Sequence, residues 1–528
     1  MKGLRNIGWM CLAWTFFSCT SDLDITQVGT AETDGEGAYF VLEVTAATGT
    51  STRSNPTGGE PGDGSETGLD YENRIDDLML FFYQAEKQSN ASADTPIDKI
   101  FYFDRDKLEG DNRTEPVQVN LPAGEYDLLV VTNTGDMRAQ LQGKTLGGIR
   151  DYILTKAWTE KDGKYSRFVM TSDGHTADKV TLCGNPKNEP ANAVVEVERV
   201  AARIDFRAKA AIFDVNDHVY GKAKASLVGA VVLNKMVEGS YLLKRTAMPD
   251  NGALTSASPV TYLGNELPVE GGVQQNYVVD PWSLQKTASP VNTSLKKLYD
   301  NYYTSFRKEQ SAWEAVVRTG KQVGDWRILD YTLENTMSRE AQLDAYRTMV
   351  VFQVRYIPNG YTEGETFYRV KNKIYPTRAE AEAAAEGTGA LVREFHNGLC
   401  YYVWRVRHSD DDNDGAKGIM EYAIVRNNIY RLLVSSIYGL GDEVPFPDPD
   451  GEEPVDPNPD PDPDPEPNPD PDPDPNPDPN PDPDPGPGPG PDPDPDPDPD
   501  PDPDPDPNIE IIVTVEDWTQ MNGEVIYL

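Results

Sequence analysis

The residues best spaced for chemistry lie between Asp410 and Glu421. Asp410, Asp412 and Asp414 alternate with other residues ahead of Gly415, and Glu421 stands at the twelfth position. Hard divalent cations take oxygen ligands at this spacing, and the glycine permits the sharp turn between them, so the stretch is a candidate calcium site. Lys417 stands where an apolar residue is usual, and the flanks, Tyr401 to His408 and Glu421 to Val425, read as strands instead of helices. A polar hairpin loop is the competing reading. Elsewhere reactive residues are sparse: histidine occurs only at 175, 218, 396 and 408, and there is no P-loop, no Gly-x-Ser-x-Gly elbow and no Cys-x-x-Cys pair. The expectation is a protein with no catalytic residues and no cofactor beyond that calcium ion.

The four cysteines are Cys11, Cys19, Cys183 and Cys400, too few and too scattered for a disulfide framework. Cys183 and Cys400 are expected as separate buried thiols, with a bridge between them as the alternative. Cys19 has a different chemistry. Lys2 and Arg5 precede an apolar run from Ile7 to Phe17 that is too short to span a bilayer, and Ser18 puts a small residue before Cys19. This is the pattern of a lipoprotein export signal, with cleavage after Ser18 and a fatty acid such as palmitate on the Cys19 thiol. The membrane would then be reached only through lipid on the precursor. Thr20-Ser21-Asp22-Leu23-Asp24 resembles the acidic tags of surface-exposed lipoproteins of Bacteroidota, which implies the outer face of the outer membrane after passage through the periplasm.

The 528 residues carry 88 acidic against 48 basic side chains, a formal charge of −40. Of this, −23 falls in residues 445–507, which hold 30 of the 44 prolines and no Lys or Arg, so the rest carries −17. A chain this acidic lacks the basic stripe that counterion release requires, which excludes nucleic acid as a partner.

What remains must position these features, and its pattern is β. In Phe40, Leu42, Val44 and Ala46 the apolar residues recur at every second position, as a half-buried strand demands. Further runs are Asp77 to Tyr83, Ile100 to Phe103, Tyr126 to Asn133 and Arg167 to Met170. A second set covers Val194 to Phe206, Ser226 to Leu233, Tyr241 to Lys244, Thr348 to Tyr356, Leu399 to Arg407, Glu421 to Val425 and Ile429 to Ile437. Two sandwiches in series are expected, at 54–190 and 191–444, behind a signal peptide at 1–18 and a lipidated leader at 19–53. Helical composition marks Leu295 to Phe306 and Ser311 to Arg318, and Thr377 with Glu380 forms a capping box before an Ala-rich turn that Gly387 can stop.

From 445 to 507 the Asp-Pro repeat can neither pair as strand nor continue as helix, because every second residue lacks an N–H and has a fixed φ. It reads as an extended, self-repelling spacer reaching up to about 190 Å at roughly 3.1 Å per residue. Beyond it, residues 508–528 open with Ile509, Ile511, Val513 and Val515 on one face. A lone apolar strand is marginal in water and must find an acceptor sheet, in its own domain or in another molecule. The leash makes another molecule reachable.

Together these segments resemble the fimbrillins of Bacteroidales, and among them the major-subunit type of the short, or minor, fimbria, a type V pilus. The resemblance is carried by Thr52-Arg53, by Gly124 to Asn133 and by Glu198-Arg199-Val200-Ala201-Ala202-Arg203-Ile204-Asp205. Farther on it is carried by Tyr277-Val278-Val279-Asp280-Pro281-Trp282, by Glu334-Asn335-Thr336 and by Met420 to Tyr430. It implies a mainly β fold of two transthyretin-like antiparallel β-sandwich domains with a few helices, followed by the Pro/Asp-rich spacer and a C-terminal donor strand. It further implies cleavage between Arg53 and Ser54 by an Arg-specific protease, which would release the strand of Phe40, Leu42, Val44 and Ala46 and open an apolar groove. The strand of Ile509, Ile511, Val513 and Val515 from another subunit would fill that groove. Such a contact is heterologous and does not close, so copies join head to tail as a filament. Tip and anchor subunits and host or bacterial surface ligands are the remaining partners implied. The alternatives are a monomeric surface lipoprotein binding glycan or a host ligand, whose C-terminal strand would fold back on its own chain, and a fimbrial tip adhesin.

Overall fold

The computed structural model describes residues 38–46, 65–84, 93–110, 112–162, 164–172, 178–233, 239–247, 260–261, 269–270, 273–274, 277–287, 322–323, 326–408, 421–445 and 509–519. In chain order the elements that matter here begin with β1 (Ala38–Ala46), β2 (Ser65–Thr67), α1 (Asp70–Asn73), β3 (Asp77–Tyr83) and β4 (Lys99–Asp104). They continue with β5 (Arg113–Thr114), β6 (Val117–Val119), β7 (Gly124–Thr132), β8 (Asp178–Leu182), β9 (Ala191–Arg199), β10 (Ala202–Ala208), β11 (Ile212–Asp217) and β12 (Gly221–Leu233). Then come β13 (Trp326–Thr332), β14 (Met349–Pro358), α2 (Arg378–Ala385), β15 (Leu399–Arg405), β16 (Asn428–Ile437) and β17 (Ile509–Thr519). The fold is mainly β, and the chain divides into two compact units.

The first unit takes 1–45, 75–148 and 177–197. Its strands pair β4–β3–β7, with β8 also on β7, and β9–β1–β5, with β6 also on β1. β3 is apolar on both faces, DLMLFFY, and is buried along its whole length, as a central strand of such a sheet must be. Phe82 sits at the centre of an aromatic cluster, edge-on to Phe40, Phe101 and Tyr126 at centroid distances of 5.3, 5.8 and 6.1 Å.

The second unit takes 46–74, 149–176 and 198–528. One sheet runs β2–β17–β16–β10–β13 and the other β11–β12–β14–β15. Period-two alternation builds the core between them. Ile204 and Phe206 from β10, Tyr430, Leu432 and Val434 from β16, and Val350, Phe352 and Val354 from β14 share one apolar cluster with Ile509 of β17. The first sheet is mixed and not purely antiparallel: β10 runs parallel to β16 over Arg203↔Ile429 to Ala208↔Val434, and β2 runs parallel to β17. The whole second sheet intervenes in sequence between β10 and β16, which supplies the long crossover that parallel pairing needs.

Several strands differ from the sequence pattern. The expected run from Val194 to Phe206 is two strands, β9 and β10, parted at Val200 and Ala201. Glu421 to Val425 is no strand: among the described residues its ladder contact is a single bridge between Asn335 and Ile424, and the Tyr422 and Val425 N–H groups donate to Gln342 Oε1 and the Tyr430 hydroxyl instead. Arg167 to Met170 shifts to Met170–Ser172, with Arg167 at a positive φ of 54°. α2 forms where the capping box placed it, with the Thr377 hydroxyl accepting from the Glu380 N–H at 3.3 Å and Gly387 following at φ 68°. The helix-like stretches Leu295 to Phe306 and Ser311 to Arg318 lie outside the described residues. No helix among the described residues is long and apolar enough to cross a membrane.

Candidate functional site

The two strands that the sequence singles out occupy opposite kinds of position. β1 is interior. It has β9 on one side and β5 and β6 on the other, with Ala38↔Val119, Tyr39↔Gln118, Phe40↔Val117 and Glu43↔Arg113 in register. Phe40, Leu42 and Val44 are buried, as the alternation predicts, and Val41 is buried too. The Leu42 N–H donates to Thr114 Oγ1 at 3.0 Å and the Val44 N–H to the Asn112 carbonyl at 2.9 Å, while Asn112 Nδ2 donates back to the Val44 carbonyl at 2.9 Å. Taking β1 away would therefore uncover both an apolar floor around Phe82 and unpaired main-chain groups on two edges. Such a groove is a strand receptor by its chemistry. The Ala46 side chain, and Arg53 and Ser54, lie outside the described residues, as does Cys19.

β17 finds its acceptor in its own chain. It runs antiparallel along β16 from Asn428↔Asp517 to Ile437↔Ile509, with Ile509 buried in the core of the second unit. Among the described residues, its other edge meets the three residues of β2. The side chains of Ile511, Val513 and Val515 lie outside the described residues. The fold thus chooses the first of the two acceptors that the sequence leaves open. Among the described residues the strand has a full ladder on one edge and three paired residues on the other.

Asp410, Asp412 and Asp414 lie outside the described residues. Glu421 is buried, its carboxylate 3.2 Å from Arg407 Nε, and its carbonyl accepts from the His408 N–H at 2.7 Å. A cation at that loop would compete with the Arg407 guanidinium for Glu421. Cys400 is buried, whereas Cys183 is exposed, and neither is in a disulfide, which corrects the expectation of two buried thiols. Cys183 follows the end of β8 in a turn where its own N–H donates to Asn185 Oδ1, so the chain leaves the sheet there instead of entering the core.

Sequence reasoning missed a set of buried ionisable residues in the second unit. β10 alternates Ala202, Ile204 and Phe206 inward with Arg203 and Asp205 on the opposite face, yet Arg203 and Asp205 are wholly buried. The lid is α1. Glu72 accepts from Arg203 Nη1 at 3.1 Å, from the Tyr331 hydroxyl and from the Leu69 N–H at 2.6 Å. Arg203 also holds Asp205 through Nε and Nη2 at 3.0 and 2.9 Å. Arg199 donates to the Glu72 carbonyl and to Asn73 Oδ1. Burial draws the Arg199 pKa down to about 9 against the pull of Glu72, with Arg203 adding to the fall. For Arg203 burial acts the same way, but Asp205 and Glu72 outweigh it and the guanidinium is held charged. A second buried pair joins Arg426 to Glu334 in a two-pronged contact at 2.6 and 2.8 Å, with Arg426 Nη2 also donating to the Tyr241 carbonyl at 2.7 Å. The signal was legible in Glu198 to Asp205, where charges interrupt an apolar run, but their partners lie far away in sequence.

Residues 393–524 match the family model described as major fimbrial subunit protein type IV, fimbrillin, C-terminal, a stretch that includes β15, β16 and β17. Over that C-terminal stretch the chain matches the fimbrillin family. No curated protein sequence matches it. Among solved structures it is similar to a candidate cell adhesion protein from Parabacteroides distasonis, at 13% identity and TM-score 0.39, over 92% of this chain and 98% of the other. It is similar to the fimbrilin of Porphyromonas gingivalis at 16% identity and TM-score 0.36, over 78% and 94%. The tip fimbrial protein Mfa3 of Porphyromonas gingivalis matches at 11% identity and TM-score 0.34, over 76% and 95%.

Proposed function

We propose that this chain is a fimbrillin, the stalk subunit of a cell-surface fimbria, exported as a lipoprotein and polymerised by strand exchange after its first strand is removed. The observation that carries the reading is the pairing of β17 among the described residues, one full ladder on β16 and three residues of β2 on the other edge. The groove left by β1 offers a strand partners on both edges, β9 and β5 with β6. A strand that moves from the first position to the second gains a second ladder of hydrogen bonds. Each copy then gives β17 and receives one, which makes a head-to-tail filament serving adhesion at the surface. A tip subunit needs only the groove, so the presence of β17 favours the stalk. Tip and anchor subunits would cap the two ends, and surface ligands of host or neighbouring bacteria would be met along the fibre.

Processing is the step to test first. A groove still filled by β1 cannot receive a foreign strand, so Arg53→Ala should accumulate precursor that does not polymerise. Electron microscopy of surface material should show filaments from the parent chain and none from the variant, and N-terminal sequencing of parental filaments should begin at Ser54. Filaments whose subunits begin upstream of Tyr39 would refute the exchange.

The self-paired β17 also favours a second reading, a monomeric surface lipoprotein that binds a ligand through its loops and keeps its last strand at home. Both readings share the export step. Cys19→Ala should abolish incorporation of a labelled fatty acid and stop delivery to the outer membrane; equal label in the two chains would remove lipoprotein export from either.

A further inference from the structure

Lys286 is held in a pocket in which an amine, a side-chain amide and a carboxylate meet with little access to water. Its Nζ lies 2.8 Å from Asp280 Oδ2, 2.8 Å from Asn335 Oδ1 and 2.8 Å from the Thr336 carbonyl. Asp280 and Asn335 are buried, and the Lys286 side chain is 9% exposed. Each group is fixed by its surroundings. Asp280 Oδ1 accepts from the Trp282 N–H at 2.7 Å and Oδ2 from the Thr336 N–H at 2.7 Å. The Asp280 N–H is met by Ser283 Oγ and Thr336 Oγ1, which also hydrogen-bond to each other. The Asn335 backbone is bridged to Ile424 in both directions, and its Nδ2 donates to the Tyr346 carbonyl at 2.6 Å and to Thr348 Oγ1 at 3.0 Å.

We propose that Lys286 and Asn335 join through an amide bond formed within the folded chain, with Asp280 carrying the proton. An amine hydrogen-bonded to the oxygen of an immobilised amide beside a buried carboxylate needs only a small shift to bring Nζ onto Cγ, and holding the groups in register replaces the entropy that a bimolecular aminolysis would lose. Burial pulls the Lys286 pKa below its ordinary value, although Asp280 opposes it, so the neutral amine is easier to reach than in water. The ammonium gives one proton to Asp280 Oδ2. The freed lone pair on Nζ adds to Asn335 Cγ, and Asp280 returns the proton to Asn335 Nδ2 as the Cγ–Nδ2 bond breaks. A second proton leaves Nζ for the departing nitrogen, which exits as ammonium. Lysine ammonium and asparagine amide thus become a secondary amide and an ammonium ion, with no oxidant or added reagent.

The bond would tie the loop of Asp280 to the segment that follows β13. In a subunit pulled along a fibre, that tie would keep the second unit from unravelling between the two. Its formation does not depend on polymerisation, so it is tested on the purified monomeric chain and its failure leaves the strand-exchange reading untouched.

The test is intact mass and peptide mapping of the folded chain. Loss of ammonia should lower the mass by about 17 Da. A tryptic species should contain the Lys286 and Asn335 peptides joined, with no cleavage after Lys286. Lys286→Arg and Asn335→Ala should restore the full sequence mass, and Asp280→Asn should slow or prevent the change. A parental chain of full mass would overturn the proposal. So would the same mass loss with Lys286 still cleaved by trypsin, since a cyclised asparagine alone gives that result. Because the parental chain decides the matter, misfolding of a variant does not rescue it.

Discussion

Deletion of Ile509 to Leu528 should leave the processed subunit unable to form filaments, whereas replacing Asn458 to Pro505 by a few residues should leave assembly intact. The first change removes the main-chain groups that pair along β16 in the free chain and, in the proposed filament, along the neighbour's groove. The second changes only reach and effective concentration. A tethered strand competes for its own sheet at an effective concentration of the order of millimolar, so the self-paired state is the resting state of a dilute chain. In the proposed exchange, the groove would offer two ladders where, among the described residues, β16 and β2 offer one and a fragment. A shorter leash should give filaments with tighter spacing. The strandless subunit should remain monomeric by light scattering and electron microscopy, yet bind a synthetic peptide spanning Ile509 to Leu528 once β1 is removed. The deletion also strips Ile509 from the core of the second unit, where burying a side chain of this size contributes about 1.5–3 kcal/mol, so its folding should be checked by circular dichroism before the result is read. Filaments of normal length from a folded strandless chain would show that another surface drives assembly and would favour the monomeric or differently assembled alternatives.

Alternation made much of this fold legible. The periodicity of Phe40, Leu42 and Val44 placed β1 and its buried face, and the unbroken apolar run of Asp77 to Tyr83 placed β3. Period two says which residues share a face, but not which strand lies alongside. That is why the parallel pairing of β10 with β16 and the choice of β16 as the partner of β17 were not readable. Of the segments that carried the family resemblance, those described in the second unit prove to supply its polar interior. Glu198 to Asp205 supplies Arg199, Arg203 and Asp205; Glu334 to Thr336 meets Asp280, Lys286 and Arg426; Asn427, at φ 58°, accepts the Arg199 N–H on Oδ1. Charged residues in an apolar run announce a buried network. Most of their partners lie dozens of residues away or more and do not show in the local pattern.

The network centred on Glu72 is expected to be the costliest point of the second unit to disturb. Glu72 is the carboxylate that links Arg203 to Tyr331 and, through its carbonyl, Arg199. Glu72→Ala would leave these groups buried with Asp205 as their nearest remaining anion, and removing one member of a buried pair costs about 3–5 kcal/mol. At roughly 2–4 °C per kcal/mol for a unit of this size, the melting temperature should fall by about 10 °C. Glu72→Gln should fall less, because the amide still fills the space and accepts one hydrogen bond. The pH response adds a second readout. Burial, then Glu72, raises the Tyr71 pKa to about 12 from the ordinary 10, and the same two causes raise Tyr331 further. A folded-state pKa above the unfolded one gives stability that is complete below pH 10 and is lost as pH rises from 10 towards 12. Glu72→Gln removes the second cause, so that alkaline decline should be shallower. The same network bears on processing. Arg74 is exposed and lies one residue beyond α1, but a cut there would assign Glu72 and β2 to the leader, whereas a cut after Arg53 keeps both in the mature chain. Arg53→Ala should therefore block maturation instead of diverting it to Arg74, and Arg74→Ala should mature normally. A mature chain beginning at Ile75 that remains folded with the parental melting temperature would show that the Glu72 network contributes little.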